Sequence, residues 1–331
     1  IVKTDIGVDI HFFYKNEEKY RQAWTDVQEY TAKTLTYFHN TIGAYPWKKY
    51  AVIQGGDGGM EYAMCTLIEG GKTLNEILGT VLHEVAHAWF QQAVANNENK
   101  YSWMDEGSAN FISTKAYNLF VKKKTDSIST KFYNGYYYMV KNGLDEPLTT
   151  NADRFKTNVG FSMGSYTKGQ MFLTQLQYII GKENLNATLK EYYKIFKLKH
   201  AKPMDFINVA EKVSGLQLKW YLNEWIETTH TIDYAIAEYN NNTVKLARLG
   251  PMPMPIEVLV TYTDNTSEEF YIPLALMRGE KPTKATVLKD WSWGNPYYSF
   301  TLNKPIKSIV LDKSGLMADI DRSNNTYFIE N

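Results

Sequence analysis

Apolar residues recur at helical spacing through most of the first 230 residues. The clearest case lies between Thr73 and Ala95, a stretch without proline in which the apolar side chains form one stripe. That stripe consists of Ile77, Val81, Val85, Ala88 and Trp89. The spacing is typical of an amphipathic helix with one buried face. Similar patterns predict further helices at about 17–40, 105–121, 126–141, 165–180, 184–196, 204–214 and 218–227.

Alternating apolar and polar positions, which are typical of strands, occur at both ends of the chain. Val2 to Ile10 alternate in this way, and Tyr50 to Gln54 form a second strand-like segment. The pattern changes near Thr231, and three prolines between 251 and 255 exclude a helix there. Short strands with polar breaks are then predicted at 256–262, 269–272, 300–302 and 306–311. About 100 residues of this pattern indicate a β-sandwich.

The order of these elements predicts an α+β protein of two domains. Residues 1–230 combine a small sheet with a helical lobe, and residues 231–331 form an all-β domain. A length of 331 residues is consistent with roughly two domains.

The predicted helix at 73–95 carries His83, Glu84 and His87. Two histidines four residues apart lie about 40° apart around a helix axis, so their rings point the same way and can share one metal ion. Glu84 lies about 60° from His87 on the same helix and can approach the metal without binding it. This arrangement predicts a catalytic zinc site, in which zinc lowers the pKa of a bound water and Glu84 takes its proton.

A catalytic zinc ion needs a third protein ligand and an open position for water. Glu106 follows His87 after eighteen intervening residues, which leaves room for a helix end, a connection and a returning helix. Ser102 and Asp105 have the spacing of a capping box that would begin this second helix. Asp105 and Asn110 are candidates for a supporting role behind the metal ligands, since metal-bound histidines usually donate their other ring N–H to a carboxylate or carbonyl group. For Asp105, simple capping of the helix is an equally good reading.

The sequence resembles the gluzincin zinc peptidases, in particular the family of aminopeptidase N and leukotriene hydrolase. The His-Glu-two-His segment with its later glutamate is the zinc signature of gluzincins. Three further blocks are similar to blocks of that family and occur in the same order. They are Gly58–Tyr62 upstream of the zinc helix, Trp103–Gly107 around Glu106, and Tyr166–Gly169.

The resemblance implies a role for each matching residue. It implies that His83, His87 and Glu106 bind one Zn²⁺ per chain, that Glu84 is the general base, and that Tyr166 stabilises the oxyanion. In the block at 58–62, Glu61 would bind the free α-amine of a peptide substrate. The substrate-contacting backbone of that block would come from Gly58, Gly59 and Met60.

The resemblance further implies a thermolysin-like catalytic domain followed by the β-sandwich domain. Tyr62 stands where the family usually has asparagine. In the family an N-terminal domain completes the amine pocket. We expect that this domain is missing from the sequence before Ile1, and that it packs on the catalytic domain in the full-length protein. The resemblance thus implies an aminopeptidase that cleaves peptides with a free N-terminus.

Three alternatives stay open at this point. The first is another zinc hydrolase of the same fold, either an endopeptidase or an enzyme similar to leukotriene hydrolase. The second is a non-catalytic zinc-containing binding module. The third is a structural metal site, although such sites are normally closed by four protein ligands.

Composition narrows the range of partners. Lys plus Arg and Asp plus Glu number 36 each, so no net charge draws the chain to nucleic acid. Hydrophobic residues make up 44% of the chain, yet no apolar run approaches the 18 residues of a membrane-spanning helix. We expect a bacterial cell-envelope or secreted protein if the full-length protein has a signal peptide, and a cytoplasmic one otherwise.

Overall fold

The computed structural model describes residues 1–122 and 130–329, which form two compact units. The first unit contains residues 1–173 and 186–206, and the second contains residues 174–185 and 207–329 of the described chain. Helices and sheets occur in both units, so the protein is of the α+β class. No helix among the described residues is long and apolar enough to span a bilayer. The predicted domain bounds, 1–230 and 231–331, stay a prediction.

The first unit begins with a five-stranded sheet. Its strands are β1 (Val2–Lys3), β2 (Asp9–Phe13), β3 (Lys49–Gly55), β4 (Gly59–Tyr62) and β5 (Cys65–Glu69), in the spatial order β1-β2-β3-β5-β4. Helix α1 (Arg21–Thr41) connects β2 to β3. The predicted strand from Val2 to Ile10 is interrupted, because the chain turns at Gly7 with φ +74° and the Thr4 N–H bonds to the Val8 carbonyl. Strand β4 lies at the edge of this sheet.

Helix α2 (Leu74–Ala86) carries the histidine motif. It begins with a capping box formed by Thr73 and Glu76. The Thr73 backbone N–H and hydroxyl both donate hydrogen bonds to the Glu76 carboxylate. The predicted stripe is buried, with Val81 and Val85 fully shielded from solvent. The helix ends at Ala86 rather than Ala95, and turns follow in which Gln91 and Ala95 take positive φ angles.

Helix α3 (Glu98–Phe120) begins earlier than predicted. Asn97 caps it by accepting a hydrogen bond from the Lys100 N–H, and Tyr101 breaks the helical geometry with φ −135° and ψ 48°. The regular part therefore begins near Ser102, close to the predicted start. The reason differs, because the Ser102 hydroxyl bonds to the Ser165 hydroxyl rather than forming a capping box with Asp105.

The remaining helices follow the predicted order. The predicted segment 126–129 lies outside the described residues. Between 158 and 180 one helical run contains a π-helical turn, Met163–Lys168, which the sequence pattern did not indicate. The α-helices are α4 (Thr130–Lys141), α5 (Asn158–Ser162), α6 (Gly169–Ile180), α7 (Lys182–Phe196), α8 (Pro203–Ser214) and α9 (Lys219–Glu227).

The second unit contains two sheets formed after residue 233. The larger has the order β10-β9-β8-β12-β13, and the smaller has the order β11-β7-β6. All four segments predicted as strands in this region are represented. The strands are β6 (Tyr234–Asn240), β7 (Thr243–Arg248), β8 (Ile256–Tyr262), β9 (Ser267–Ile272), β10 (Thr286–Val287), β11 (Tyr297–Thr301), β12 (Ile306–Leu311) and β13 (Thr326–Phe328).

Candidate active site

Three side chains from two helices bring their ligand atoms to one point in the first unit. His83 lies in the last turn of α2, His87 caps that helix, and Glu106 lies on α3. The Nε2 atoms of the two histidines are 3.0 Å apart. Oε2 of Glu106 lies 3.0 Å from Nε2 of His83 and 3.4 Å from Nε2 of His87. The structure therefore brings together the three residues that were predicted as metal ligands.

The chemistry of these donors fits a zinc ion. Tetrahedral zinc with its usual bonds to nitrogen separates neighbouring donors by about 3.3 Å, which is close to the three separations here. At most one of the two facing imidazole nitrogens carries a proton, so at least one lone pair points into the cluster. Burial acts to raise the pKa of Glu106, but hydrogen bonds to His83 and His87 outweigh it and lower that pKa, so the carboxylate is an anion.

Asp105 fixes the ring of His87 from the opposite side. Its Oδ1 lies 2.5 Å from Nδ1 of His87, and both side chains are buried. A hydrogen bond at Nδ1 leaves Nε2 to face the cluster, as a metal-binding histidine requires. Burial raises the pKa of Asp105, and the His87 ring partly offsets this effect. One ligand atom each of Glu61, His87 and Asp105 also lie within 4.8 Å of one another. Glu61 is thus placed beside the cluster.

Glu84 lies between the histidines in sequence and is 5% exposed. Its Oε2 is buried and has no hydrogen-bond partner among the described residues. Burial raises the pKa of Glu84 to about 8. A buried carboxylate oxygen without a partner is costly unless a ligand or water meets it. The Glu84 side chain therefore has hydrogen-bonding capacity left for a group that binds beside the metal ligands.

Tyr166 lies in the π-helical turn Met163–Lys168 and reaches the same cluster. Its hydroxyl donates a hydrogen bond of 2.5 Å to Oε1 of Glu106, and its ring stacks on His83 with centroids 5.7 Å apart. Burial, together with the charge of Glu106, raises the pKa of Tyr166. The phenol therefore keeps its proton at neutral pH and can act as a hydrogen-bond donor. Single π-helical turns are frequent at functional sites.

The π-helical turn is held against α3 by close backbone contact. A Cβ atom added to Gly107 would lie 2.4 Å from the Gly169 carbonyl carbon, so only glycine fits at this crossing. One helical turn away, the buried hydroxyls of Ser102 and Ser165 lie 2.7 Å apart. The glycines that end the Trp103–Gly107 and Tyr166–Gly169 motifs therefore touch each other.

Asn110 takes part in the same contact rather than in orienting a histidine. Its Nδ2 donates a hydrogen bond of 3.2 Å to the Tyr166 carbonyl oxygen. For His83, the nitrogen Nδ1 is buried and has no partner among the described residues. Asn110 therefore positions Tyr166, whereas Asp105 positions a histidine.

A buried ion pair anchors the end of the π-helical turn. Nζ of Lys168 lies 2.7 Å from Oδ1 of Asp145, and the two side chains are 1% and 7% exposed. Sequence reasoning did not identify this pair or the Ser102–Ser165 contact. Lys168 stands just before the apolar run of α6, which is a sign that it needs a buried partner, but nothing in the sequence marks Asp145 as that partner.

The edge strand β4 passes directly over Glu84. A Cβ atom on Gly59 would lie 2.3 Å from Oε1 of Glu84, so this strand approaches the carboxylate as closely as a glycine allows. Gly58 takes φ +46°, which favours glycine. Met60 and Tyr62 are 42% and 50% exposed. The Gly58–Tyr62 block thus lies at the cluster, on the edge strand of the sheet that the described residues form.

A cavity of about 720 Å³ opens on the cluster. His83, Glu84 and Tyr166 form its inner end. From there it follows the N-terminal half of α2 and the polar face of α3, and α4 lines its other side. Its size is sufficient for several amino-acid residues.

Several known proteins with similar sequences are named aminopeptidases. "Aminopeptidase 2, mitochondrial" of Saccharomyces cerevisiae is 26% identical over 245 residues, which cover 69% of this chain and 25% of that protein. "Aminopeptidase N" of Streptomyces lividans is 26% identical over 202 residues, which cover 56% of this chain and 24% of that protein. The chain thus spans about a quarter of the length of these relatives.

The fold is also similar to that of a solved protein. A mutant of the M1 zinc metallopeptidase from Deinococcus radiodurans aligns with a TM-score of 0.50 and 20% identity over 60% of this chain and 44% of that one. The sequence matches the model of the peptidase family M1 domain over residues 27–225. Since this match covers more than half of the chain, the protein belongs to peptidase family M1, a family of hydrolytic metallopeptidases.

Proposed function

We propose that the protein is a zinc-dependent aminopeptidase. The observation that supports this most strongly is the convergence of five groups within one partly buried cluster. Three of them, His83, His87 and Glu106, would hold the metal, and Glu84 and Tyr166 face the same point. A structural zinc site would have no need of the last two groups.

For the domain architecture we propose the two domains that the resemblance implies. Residues 1–230 would form a thermolysin-like catalytic domain and residues 231–331 a β-sandwich domain. The sheet, the edge strand β4 and helices α2 and α3 support the first assignment. The two antiparallel-rich sheets after residue 233 support the second.

Bound zinc would supply a Lewis acid that polarises the scissile carbonyl and lowers the pKa of a water molecule. His83 and His87 would hold it through Nε2, and Glu106 through its carboxylate. Asp105 keeps His87 in the tautomer that leaves Nε2 free for the ion. These donors form an open set of three, which leaves a position for water or substrate.

Glu84 would act as the general base and then as the proton donor. Its pKa near 8 reflects burial without a metal, and a nearby dication would lower that pKa because it favours the carboxylate form. Glu84 would accept a proton from the attacking water through its unpartnered Oε2. It would then return the proton to the leaving amine, since a group of moderately raised pKa can both take and give a proton near neutral pH.

Tyr166 would stabilise the negative charge that develops on the carbonyl oxygen. Its hydroxyl already lies against Glu106, so a short movement would turn its proton towards a substrate oxygen bound beside the same ligands. A donor aimed at charge that exists only in the transition state raises the rate of the chemical step.

Glu61 would bind the free α-amine and so restrict cleavage to the first peptide bond. Its carboxylate lies beside His87 and Asp105 on the edge strand that crosses the cluster. A cationic amine next to this carboxylate gains a charge-assisted hydrogen bond. Substrates on this reading are peptides with a free N-terminus.

The test compares peptides of one sequence with a free and an acetylated N-terminus. The zinc-loaded chain should cleave the free peptide at its first bond and leave the acetylated one intact. Glu61→Ala should reduce kcat/KM for the free peptide by about 10²-fold, the value of a charge-assisted contact, without loss of zinc. Equal cleavage of both peptides at internal bonds would instead identify an endopeptidase.

A further inference from the structure

The cavity at the candidate active site carries charges of opposite sign at its two ends. Glu84 lines the inner end, and the carboxylates of Glu106 and Glu61 belong to the adjoining cluster around His87. Lys122, which follows α3, and Lys131, in the first turn of α4, line the same cavity and are both exposed. Between the two ends, the α3 face is polar and uncharged.

The lysine end lies on the side of the leaving group. Glu61 would hold the amine of the first residue, and it is not among the described residues that line the cavity. The cavity instead begins at Glu84 and Tyr166, where the scissile bond would lie. A peptide whose amine is on Glu61 therefore extends its remaining residues into the cavity, towards the lysines.

The length of the cavity limits the size of the peptide. Tyr117 lies eleven residues after Glu106 on α3, a distance of about 16 Å along a helix. The Lys122 ammonium lies 5.8 Å from the centroid of the Tyr117 ring. An extended peptide advances about 3.3 Å per residue, so about five residues after the scissile bond reach Lys122.

Lys131 lies closer to the inner end. It precedes Gly135 by one turn of α4, or about 6 Å. A Cβ atom on Gly135 would lie 3.3 Å from the Thr167 side chain, which is next to Tyr166 in the chain. The Lys131 ammonium is thus within reach of a carboxylate two to three residues after the scissile bond.

The lysines face a single acidic neighbour in the described part of the cavity away from the cluster. That residue is Glu76, whose Oε2 accepts two hydrogen bonds of 2.7 Å from the backbone and hydroxyl of Thr73. The Glu76 carboxylate is therefore already hydrogen-bonded to Thr73 at the start of α2. The outer end of the cavity is suited to an anion.

We propose that Lys122 and Lys131 bind a carboxylate on the leaving-group side of the substrate, so that the enzyme favours short peptides with a negative charge three to six residues from the N-terminus. The inference rests on the proposed function and names the class of peptides that the proposed aminopeptidase would favour. The carboxylate is either the C-terminus of a short peptide or an acidic side chain. A peptide held in this way has its amine at Glu61 and its carboxylate at the lysines.

The experiment measures binding and cleavage separately on the zinc-loaded chain. Penta-alanine with a free carboxylate is compared with its C-terminal amide by titration calorimetry and by kcat/KM. A second pair of amidated peptides, ending in Glu or in Gln, separates the side chain from the C-terminus as the source. The test variant is Lys122→Gln combined with Lys131→Gln, and the control is Lys141→Gln, an exposed lysine at the end of α4 that is not among the residues lining the cavity.

The wild-type and control proteins should bind the free acid about fivefold more tightly than the amide, as an ion pair with an exposed lysine allows. In the double variant the ratio should fall to about one, with the change in KM rather than kcat. Equal binding of acid and amide by the wild type, or a ratio that the double variant retains, would overturn the inference. Preferential binding without cleavage of any peptide would overturn the proposed function and leave the carboxylate site in place.

Discussion

At the scale of single residues, the cluster separates metal binding from catalysis. His83 and His87 meet through Nε2, whereas Glu84 keeps a carboxylate oxygen without a partner in the described structure. His83→Ala should therefore remove zinc and activity together. Glu84→Gln should keep zinc and lose about 10²–10⁴-fold in kcat, the usual contribution of a general base. Zinc analysis of both purified variants beside their kcat values checks this division. Loss of zinc from Glu84→Gln to the same extent would contradict it.

Tyr166 provides the second test at this scale. Tyr166→Phe removes one hydroxyl and leaves the ring stacked on His83. We expect kcat to fall by about 10²-fold or more, as for the loss of an oxyanion donor, while zinc content and KM change little. Steady-state kinetics on an aminoacyl reporter amide measures both constants. An unchanged kcat would mean that Tyr166 only packs against the ligand Glu106.

Most of these residues could be predicted from the sequence because their geometry is local. The spacing of His83 and His87 on one helix fixes their common direction, whatever the rest of the fold does. The assignment of Glu106 as the third ligand required a recognised motif. Its distance from the two histidines depends on how α3 packs against α2, which a local pattern does not show. The partner of Asn110 could not be predicted, because the Tyr166 carbonyl lies 56 residues further along the chain.

At the scale of elements, the crossing of α3 with the π-helical turn sets the position of Glu106 and Tyr166 together. Gly107→Ala would push a methyl group against the backbone at Gly169, which has no side chain to move aside. We expect a loss of about 1–3 kcal/mol in the free energy of unfolding, as for other overpacked contacts, and weaker zinc binding. Urea unfolding and competition with a zinc chelator measure the two effects.

Gly79→Ala is the matched control for this prediction. Gly79 also lies inside a helix, α2, but a Cβ atom there would meet no atom within 4 Å. The substitution should raise the free energy of unfolding by about 0.5–1 kcal/mol, since alanine is the better helix former. A Gly107→Ala protein as stable as the wild type, with unchanged zinc affinity, would show that the crossing does not position the site.

Several elements differ from their predictions for reasons that lie far along the chain. Helix α2 ends at Ala86 although the apolar pattern continues, because the following residues fold back and the Ala93 carbonyl accepts a hydrogen bond from Leu198 N–H. The ion pair of Lys168 with Asp145 and the Ser102–Ser165 contact have the same origin. Such pairings depend on the tertiary fold, which a local pattern does not encode.

At the scale of the whole molecule, one buried carboxylate of the second unit should contribute to the response of stability to pH. Asp319 in the second unit is fully buried and accepts hydrogen bonds from the backbone N–H groups of Tyr234 and Asp321. Burial nevertheless raises the pKa of Asp319 to about 6. The folded state therefore binds this proton more tightly than the unfolded state, whose pKa is about 4.

The difference between the folded and unfolded pKa of Asp319 determines whether stability rises or falls with pH. The contribution of Asp319 to stability is fully present below about pH 4 and is lost as the pH rises through about 6. We expect it to lower the free energy of unfolding by about 3 kcal/mol over that interval, at 1.4 kcal/mol per pKa unit. Asp319→Asn should flatten this part of the curve, whereas Asp290→Asn, at an exposed position, should leave it unchanged. Urea unfolding at several pH values tests this, and an equally steep curve for Asp319→Asn would contradict it.

Because of the π-helical turn Met163–Lys168, the number of residues between α5 and Tyr166 is as important as their identity. A π-helical turn holds one residue more than the α-helical turn it replaces. Deleting one residue between Ser162 and Tyr166 would let the run from α5 to α6 close as a plain α-helix. The segment before the deletion would then rotate by about 100° relative to the tyrosine. Scanning by substitution would pass over this requirement, whereas scanning by single-residue deletion would reveal it. Insertions and deletions in this segment are therefore the changes to which the enzyme should be least tolerant.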